Sequence, residues 1–343
     1  MKLFEPFPLA GMTLPNRIVM APMTRNRSAG QVQSAWAIEH YAARADAGLI
    51  IGEATHVAAQ GLASPDTPGL FTQAHAEAWK AVVDAVHAAG GRIAAQLAHA
   101  GRLTHSDFHG LPPVAPSAIP PIGFVRTPLG MKSYETPQVP TTGEVAGLVD
   151  AFGAAARLAR SAGFDGVELH GAHGFLIDQF LQSGTNDRTD LYGGDAQGRR
   201  RFALEVVESV RGTWPASRIG FTMSPGGNHK GIHDEDPVAT FTGLARALSD
   251  AGLGWIHVAD MLLADERPSG FLRPVFGGAV IVSEGYTRET AEEVLQAGTA
   301  DLVAFGRAFT ANPDLVAKLR SGARLVPEDP RTYYTGGRRG YVE

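Results

Sequence analysis

Two histidines, His170 and His173, stand three residues apart at the end of an apolar run, in the segment 168–175 (ELHGAHGF). The N–H group of an imidazole donates well to an oxygen that gains negative charge, and two imidazoles at this spacing can converge on one oxygen. Such a pair polarises the carbonyl of an unsaturated ketone, or holds a nitro or phenolate oxygen. The spacing predicts an active site for a small electron-poor molecule.

Glycines and an arginine follow the last two apolar runs of the chain. Gly285 comes after the seventh run, and Gly306 and Arg307 come after the eighth. In an α/β barrel, the loops after strands seven and eight often bind a phosphate through backbone N–H groups. These residues predict a phosphate-bearing ligand whose other end reaches His170 and His173.

Eight short apolar runs alternate with stretches of helical periodicity along the whole chain. The runs cover residues 17–21, 49–52, 92–97, 166–169, 218–223, 255–258, 279–282 and 302–305. Strands this apolar must be buried on both faces of their sheet. Parallel strands that alternate with helices meet this requirement, because the helices pack against the sheet. The pattern predicts an α/β fold, a closed (βα)8 TIM barrel that forms a single domain over residues 1–343. A doubly wound open sheet is the alternative, but no G-x-G-x-x-G follows the first run.

Two segments lie outside this repeat. Residues 3–15 predict a short amino-terminal hairpin that caps the floor of the barrel. Residues 101–140 contain eight prolines, which excludes a regular helix. We expect this second segment to be an inserted loop or capping segment after the third strand, on the side of the barrel where active sites form.

Composition excludes several classes of function. The chain has 30 Lys and Arg residues against 35 Asp and Glu, without blocks of like charge, so bulk charge predicts neither a nucleic-acid nor a membrane partner. The absence of cysteine excludes disulfides and thiolate chemistry. His229 and His233 lie on a glycine-containing loop without a third ligand at fixed spacing, so no metal site is predicted. The first residues lack the apolar stretch of a signal peptide, and we expect a cytoplasmic monomer or homodimer.

Four motifs in order along the chain resemble the Old Yellow Enzyme family of FMN-dependent ene-reductases. They are residues 21–25 (APMTR), 96–102 (QLAHAGR), 168–174 (ELHGAHG) and 304–307 (AFGR). The resemblance covers essentially the whole chain. It implies an FMN-dependent oxidoreductase that transfers hydride from NAD(P)H to an activated alkene or to another electron-poor acceptor.

The resemblance also implies the residues that bind the cofactor. The isoalloxazine would contact Pro22, Met23, Thr24, Ala54 and Gln96, and the phosphate would be held by Gly285, Gly306 and Arg307. The Thr24 hydroxyl can donate to a flavin carbonyl, and Gln96 offers both a donor and an acceptor to the pyrimidine edge. The resemblance further implies that His170 and His173 bind the substrate oxygen.

Two departures from the family concern the chemistry itself. Phe175 stands where the family usually has a tyrosine that protonates the substrate carbon, and phenylalanine has no proton to give. Tyr341 or a water molecule would have to substitute for it. Thr222 occupies the position at which the fifth strand of the family presents an arginine to the N1–C2 carbonyl edge of the flavin. This change removes a cation and predicts a lower reduction potential.

Two further departures concern the shape and charge of the cavity. Glu284 replaces a glycine that is expected beside the phosphate, and its carboxylate would repel the phosphate unless it turns away or pairs with Arg288 or Arg307. Ala98 stands where many members have a tryptophan. We therefore expect an enlarged cavity and a bulky substrate.

These departures leave three functions open. The first is the FMN oxidoreductase described above. The second is a flavin-dependent isomerase of an α,β-unsaturated carbonyl, in which the lack of an acid at Phe175 returns the hydride to the flavin. The third is a cofactor-free barrel lyase or isomerase that has lost flavin through Thr222 and Glu284.

Overall fold

A computed structural model describes all 343 residues, with thirteen strands and eleven α-helices. The strands are β1 (Phe7–Leu9), β2 (Met12–Leu14), β3 (Ile18–Met20), β4 (Leu49–Ile51), β5 (Thr55–His56), β6 (Ile93–Ala98), β7 (Phe124–Thr127), β8 (Gly130–Ser133), β9 (Gly166–Gly171), β10 (Ile219–Met223), β11 (Trp255–Ala259), β12 (Ala279–Ser283) and β13 (Leu302–Phe305). The helices are α1 (Ala35–Ala42), α2 (Gln73–Ala88), α3 (Thr142–Ala162), α4 (Leu176–Leu181), α5 (Ala196–Arg199), α6 (Arg201–Arg211), α7 (Pro237–Asp250), α8 (Pro268–Leu272), α9 (Arg288–Gln296), α10 (Arg307–Ala311) and α11 (Leu315–Ser321). None of these helices combines the length and the apolar composition that a membrane span requires.

Eight of the strands form a closed parallel barrel. Their order around the barrel is β3, β4, β6, β9, β10, β11, β12 and β13, and β13 pairs back onto β3. Each of the eight coincides with one predicted apolar run, so the predicted (βα)8 fold is confirmed. Most of these strands differ from their runs by one residue at one or both ends. The largest difference is at β9, which continues through Gly171, so that His170 lies within the strand. The division of the chain into one barrel domain and one inserted segment stays a prediction.

The amino-terminal hairpin closes the floor of the barrel. β1 and β2 pair antiparallel, and Leu9 and Leu14 are buried in a cluster with Leu49, Ala279 and Leu302. Those three residues begin their strands, so the hairpin lies against the amino ends of the barrel strands. Since active sites of such barrels form at the opposite end, this hairpin stabilises the fold and leaves the carboxyl ends free.

The proline-rich segment connects β6 to α3 on the other side of the barrel. It contains only three-residue turns of 3-10 helix and the hairpin β7–β8, so the predicted absence of a regular helix is confirmed. The Arg102 side chain donates to the carbonyl of Ile119 at 3.1 Å and fixes the start of the segment to its middle. Regular structure resumes at α3, where Thr141 and Glu144 form a capping box.

Candidate active site

A cavity of about 490 Å³ opens at the carboxyl ends of the barrel strands. It contains every site residue predicted from the sequence except Tyr341. These residues are Pro22, Met23, Thr24, Ala54, Gln96, His170, His173, Phe175, Thr222, Gly285, Gly306 and Arg307. The cavity is also lined by residues that the sequence did not indicate as functional, and His257, Tyr286, Tyr333 and Tyr334 are among them.

The two histidines lie side by side in the cavity wall, with ring centroids 5.8 Å apart. His170 projects from β9, whereas His173 lies in the following turn with a left-handed φ of 55°. The backbone N–H of His173 donates to Ser224 Oγ at 2.8 Å, which fixes this strained turn. The turn that carries His173 is therefore fixed before any ligand arrives.

Both histidines are electrically neutral donors at neutral pH. Burial lowers the pKa of His170 well below its usual value, and His173 contributes to that shift. Burial likewise lowers the pKa of His173 to about 4. A neutral imidazole N–H can stabilise an oxygen that gains charge without first losing a proton of its own. Nδ1 of His170 is buried and has no hydrogen-bond partner in the protein.

Phe175 lies against His170, with ring centroids 4.3 Å apart. The ring of His56 lies nearly parallel to the Phe175 ring, with centroids 6.4 Å apart. The expectation that Ala98 enlarges the cavity is wrong. Ala98 is completely buried, it does not line the cavity, and its partner across the sheet is His56.

Tyr341 does not reach the cavity, and its predicted role as a substitute acid is wrong. Its side chain is 2% exposed and its ring stacks on His40 at 3.9 Å. The guanidinium groups of Arg25 and Arg27 lie 5.2 and 4.8 Å from the same ring. Burial, followed by the nearby Glu53 carboxylate, raises the pKa of Tyr341. This tyrosine anchors the carboxyl-terminal segment and has no access to substrate.

Three other tyrosines do line the cavity. The Tyr286 hydroxyl donates to Oδ2 of Asp260, and burial together with that carboxylate raises the pKa of Tyr286 above its usual value. Tyr333 and Tyr334 enter from the carboxyl-terminal segment, and Tyr334 is 53% exposed. The Tyr286 hydroxyl proton is thus used in the hydrogen bond to Asp260. The hydroxyls of Tyr333 and Tyr334 lie at the rim of the cavity.

A buried carboxylate, Glu168, lies beneath the row formed by His170, Thr222 and His257. The register pairs Thr222 with both of these histidines, so the three side chains share one level of β9, β10 and β11. Oε1 of Glu168 accepts from Gln96 Nε2 at 2.9 Å and from the Thr222 hydroxyl. Gln96 Nε2 also donates to the Thr222 hydroxyl at 3.3 Å, so both of its amide hydrogens are used. Gln96 therefore offers a ligand only its carbonyl oxygen, and not the donor that we expected as well.

Glu284 adopts a backbone conformation typical of glycine, with φ at 78°. Its carboxylate lies 3.9 Å from His173 Nε2 and forms no ion pair with Arg288 or Arg307. Arg288 is instead 3.8 Å from Glu289. Glu284 therefore points toward His173, which leaves the Arg307 guanidinium free for an anion.

The residues of the cavity fit a flavin nucleotide. At the rim, a Cβ added to Gly306 would lie 2.8 Å from Met23 Sδ, so any side chain at this position would displace the Met23 side chain from the cavity wall. Gly306 and the exposed Arg307 together suit a phosphate. Deeper in the barrel, Nδ1 of His170 and Nε2 of His257 are buried without partners, as polar atoms that a heteroaromatic ring could satisfy.

These features fit a (βα)8 barrel oxidoreductase whose cavity at the carboxyl ends of the strands suits FMN. Residues 2–325 match the model of the NADH:flavin oxidoreductase / NADH oxidase family, and the chain belongs to that family. It is an enzyme of the Old Yellow Enzyme type, with FMN as cofactor and a nicotinamide as reductant, and it reduces activated alkenes.

The sequences of two plant reductases align with almost the whole chain. The chain is 40% identical over 347 residues to the putative 12-oxophytodienoate reductase 2 of Oryza sativa subsp. japonica, covering 97% of this chain and 90% of the relative. It is 38% identical over 350 residues to 12-oxophytodienoate reductase 2 of Arabidopsis thaliana, covering 97% and 92%.

Solved structures agree closely with the fold. Morphinone reductase in complex with tetrahydroNAD superposes with a TM-score of 0.96 at 41% identity, covering 100% of this chain and 97% of that one. The old yellow enzyme homologue from Zymomonas mobilis superposes with a TM-score of 0.97 at 39% identity, covering 100% and 99%.

Changing Gly306 to Asp should weaken FMN binding by roughly 10- to 1000-fold. The new side chain would collide with Met23 Sδ, and a carboxylate near the phosphate costs about 1–4 kcal/mol at effective dielectrics between those of water and a protein surface. Fluorescence titration of the apoprotein with FMN measures the change. Gly143→Asp is the matched control, because Gly143 is exposed at the start of α3, has open space around an added Cβ and does not have a left-handed φ. Equal Kd values for Gly306→Asp and the wild type would contradict a phosphate site at this residue.

Asp178 should make the stability of the enzyme depend on pH. It is fully buried in α4 and accepts from the N–H of Gly174, next to His173, at 2.9 Å. Burial raises its pKa to about 7, although hydrogen bonds from Gln182, Gly174 and Ser224 oppose the shift. The folded protein thus retains a proton that the unfolded chain loses near pH 4. The free energy of unfolding should therefore fall as pH rises from about 4 to about 7, by up to about 4 kcal/mol.

Urea unfolding at several pH values, on the wild type and on Asp178→Asn, measures this contribution. Other groups titrate in the same range, so the informative quantity is the difference between the two pH profiles. That difference should change between about pH 4 and pH 7 and be constant above. Parallel profiles would mean that Asp178 ionises with its ordinary pKa.

Proposed function

We propose that the enzyme reduces electron-poor acceptors whose oxygen binds between His170 and His173, and that it reduces quinones and nitro compounds faster than simple enones. The observation that carries this proposal is Phe175, which packs on His170 where an acid would be needed. Reduction of an alkene requires a proton at carbon, whereas the oxygens of a quinone take protons from water. Loss of a general acid typically costs about 10²–10⁴ in rate.

Bound FMN would supply the redox chemistry, the transfer of a hydride from NAD(P)H to the acceptor. The protein contributes the surroundings of that transfer. His170 and His173 donate to the acceptor oxygen as its negative charge grows. The Gln96 carbonyl oxygen and the Thr24 hydroxyl would orient the cofactor ring, while Gly285, Gly306 and Arg307 would hold its phosphate. The apolar ring of Phe175 shields the acceptor carbon and leaves its protonation to solvent.

The proposed substrates include oxo compounds larger than cyclohexenone. Relatives are named for the reduction of 12-oxophytodienoate and morphinone, and this chain is similar to them over nearly its whole length. The half-exposed Tyr334 at the rim and the exposed Glu284 leave the mouth of the cavity open to a bulky molecule. The choice between NADH and NADPH, the cytoplasmic location and the oligomeric state stay predictions.

Anaerobic rapid mixing tests the proposal. The enzyme is first reduced with one equivalent of NADPH or NADH and then mixed with benzoquinone, a nitroaromatic compound or cyclohexenone, and flavin absorbance gives the reoxidation rate. The first two acceptors should react roughly 100-fold faster than cyclohexenone or more. Equal rates for cyclohexenone and benzoquinone would refute the proposal. Rearrangement of the enone without net consumption of the nicotinamide would instead establish the isomerase.

A further inference from the structure

Glu168 is a fully enclosed charged group inside the barrel. It is 0% exposed, and four side chains from three strands contact its carboxylate. Oε2 accepts from Trp255 Nε1 at 2.8 Å, while Oε1 lies 3.4 Å from His257 Nδ1, in addition to the bonds from Gln96 and Thr222 described above. Burial alone would favour the neutral acid, but His257 and the hydrogen bonds from Thr222 and Trp255 outweigh it and lower the pKa of Glu168.

A buried carboxylate requires a countercharge, and one neighbour can supply it. Gln96, Thr222 and Trp255 are neutral donors, whereas His257 forms the only ion pair of Glu168. Leaving the carboxylate without a cation in this environment would be costly. His257 therefore differs from His170 and His173, which lie in the same cavity without a carboxylate in hydrogen-bond contact.

The other nitrogen of His257, Nε2, is buried and has no hydrogen-bond partner in the protein. The ring lines the same space as Gln96 and Thr222. Thr222 cannot offer a ligand such a donor, because its hydroxyl donates to Glu168 and accepts from Gln96 at 3.3 Å. An unpartnered imidazolium N–H at this depth is a site for the electron-rich edge of a ligand.

We propose that His257, held as an imidazolium by Glu168, donates its Nε2–H to the pyrimidine edge of bound FMN and supplies the positive charge that Thr222 lacks. A cation at this edge stabilises the negative charge that the ring gains on reduction, so it favours the reduced over the oxidised cofactor. Glu168 acts through His257 and is a positioning residue. His257 would act on the cofactor whichever acceptor the enzyme uses, so the acceptor preferences proposed above can fail without affecting this role.

His257→Gln tests the charge, because glutamine keeps a hydrogen-bonding amide but cannot be cationic. The ratio of the Kd values for reduced and oxidised FMN should rise at least tenfold, which corresponds to a fall of about 30 mV in the two-electron reduction potential. Glu168→Gln should lower the potential in the same direction. The double variant should lower it by no more than the larger single change, since both changes remove one cation. Adding Thr222→Arg to His257→Gln should restore the potential.

A second measurement uses the unaltered holoenzyme. Long-range ¹H–¹⁵N spectra of the protein labelled at its 12 histidines distinguish a doubly protonated imidazole from a neutral one. The His257 ring should be doubly protonated at pH 7.5, and its signals should be absent from His257→Gln. If that variant does not fold, the spectrum is assigned with Glu168→Gln, in which the same ring should become neutral. A neutral His257 in the wild type, or an unchanged potential in folded His257→Gln, would overturn the proposal.

Discussion

Replacing His170 and His173 together with alanine should weaken the binding of phenols by about a hundredfold or more and lower kcat by at least as much. Each ring offers a neutral N–H to the oxygen that gains charge, since the pKa of His173 is lowered to about 4 and that of His170 well below its usual value. Loss of a single donor to a developing oxyanion typically costs about 10²–10³ in kcat. Phenols mimic the charged oxygen, so titration with a phenol, followed through flavin absorbance, measures the loss.

His229→Ala is the matched control for this double change. His229 lies on the neighbouring loop, is exposed and does not line the cavity, so its removal should leave phenol binding unchanged. His170→Asn and His173→Asn should recover part of the affinity, because an amide also donates from nitrogen. If the folded double-alanine variant bound phenols as tightly as the wild type, the acceptor oxygen would have to bind elsewhere.

The barrel could be predicted from the sequence because its signal is local. Each barrel strand is a short apolar run, and the alternation with helices follows from the need to cover both faces of the sheet. The paired histidines could be predicted for the same reason, since three residues of chain separate them and the end of β9 fixes their direction. Gly306 and Arg307 likewise follow the last strand directly.

The errors arose where partners are distant in the sequence. Tyr341 is drawn away from the cavity because Arg25 and Arg27, more than 300 residues earlier, donate to carbonyl groups of the carboxyl-terminal segment. Glu168 uses the donors of Gln96 and Thr222, which are 72 and 54 residues away. No local pattern indicates such contacts. The alternation of inward-facing residues along β9 and β11 could have indicated that Glu168 and His257 share the interior of the barrel.

Changing Phe175 to Tyr should raise the rate of cyclohexenone reduction by one order of magnitude or more. The phenylalanine ring already lines the cavity against His170, so a hydroxyl at its tip would add an acid to the site without a change of backbone. General-acid catalysis is worth about 10²–10⁴ when the geometry allows it. The gain should be confined to acceptors that need a proton at carbon, and the measurement is the ratio of the rates with cyclohexenone and benzoquinone.

That ratio separates acid catalysis from a change in packing or flavin potential, because either of the latter would alter both rates together. Phe175→Leu keeps the site apolar and should leave the ratio low, while Tyr334→Phe removes a rim hydroxyl and tests whether that residue supplies the proton in the wild type. Tyr341 needs no such test, since it is buried away from the cavity. If the wild type reduced cyclohexenone as fast as benzoquinone, and Tyr334→Phe abolished that activity, Tyr334 would be the acid. In that case Phe175 would no longer account for the choice of acceptor.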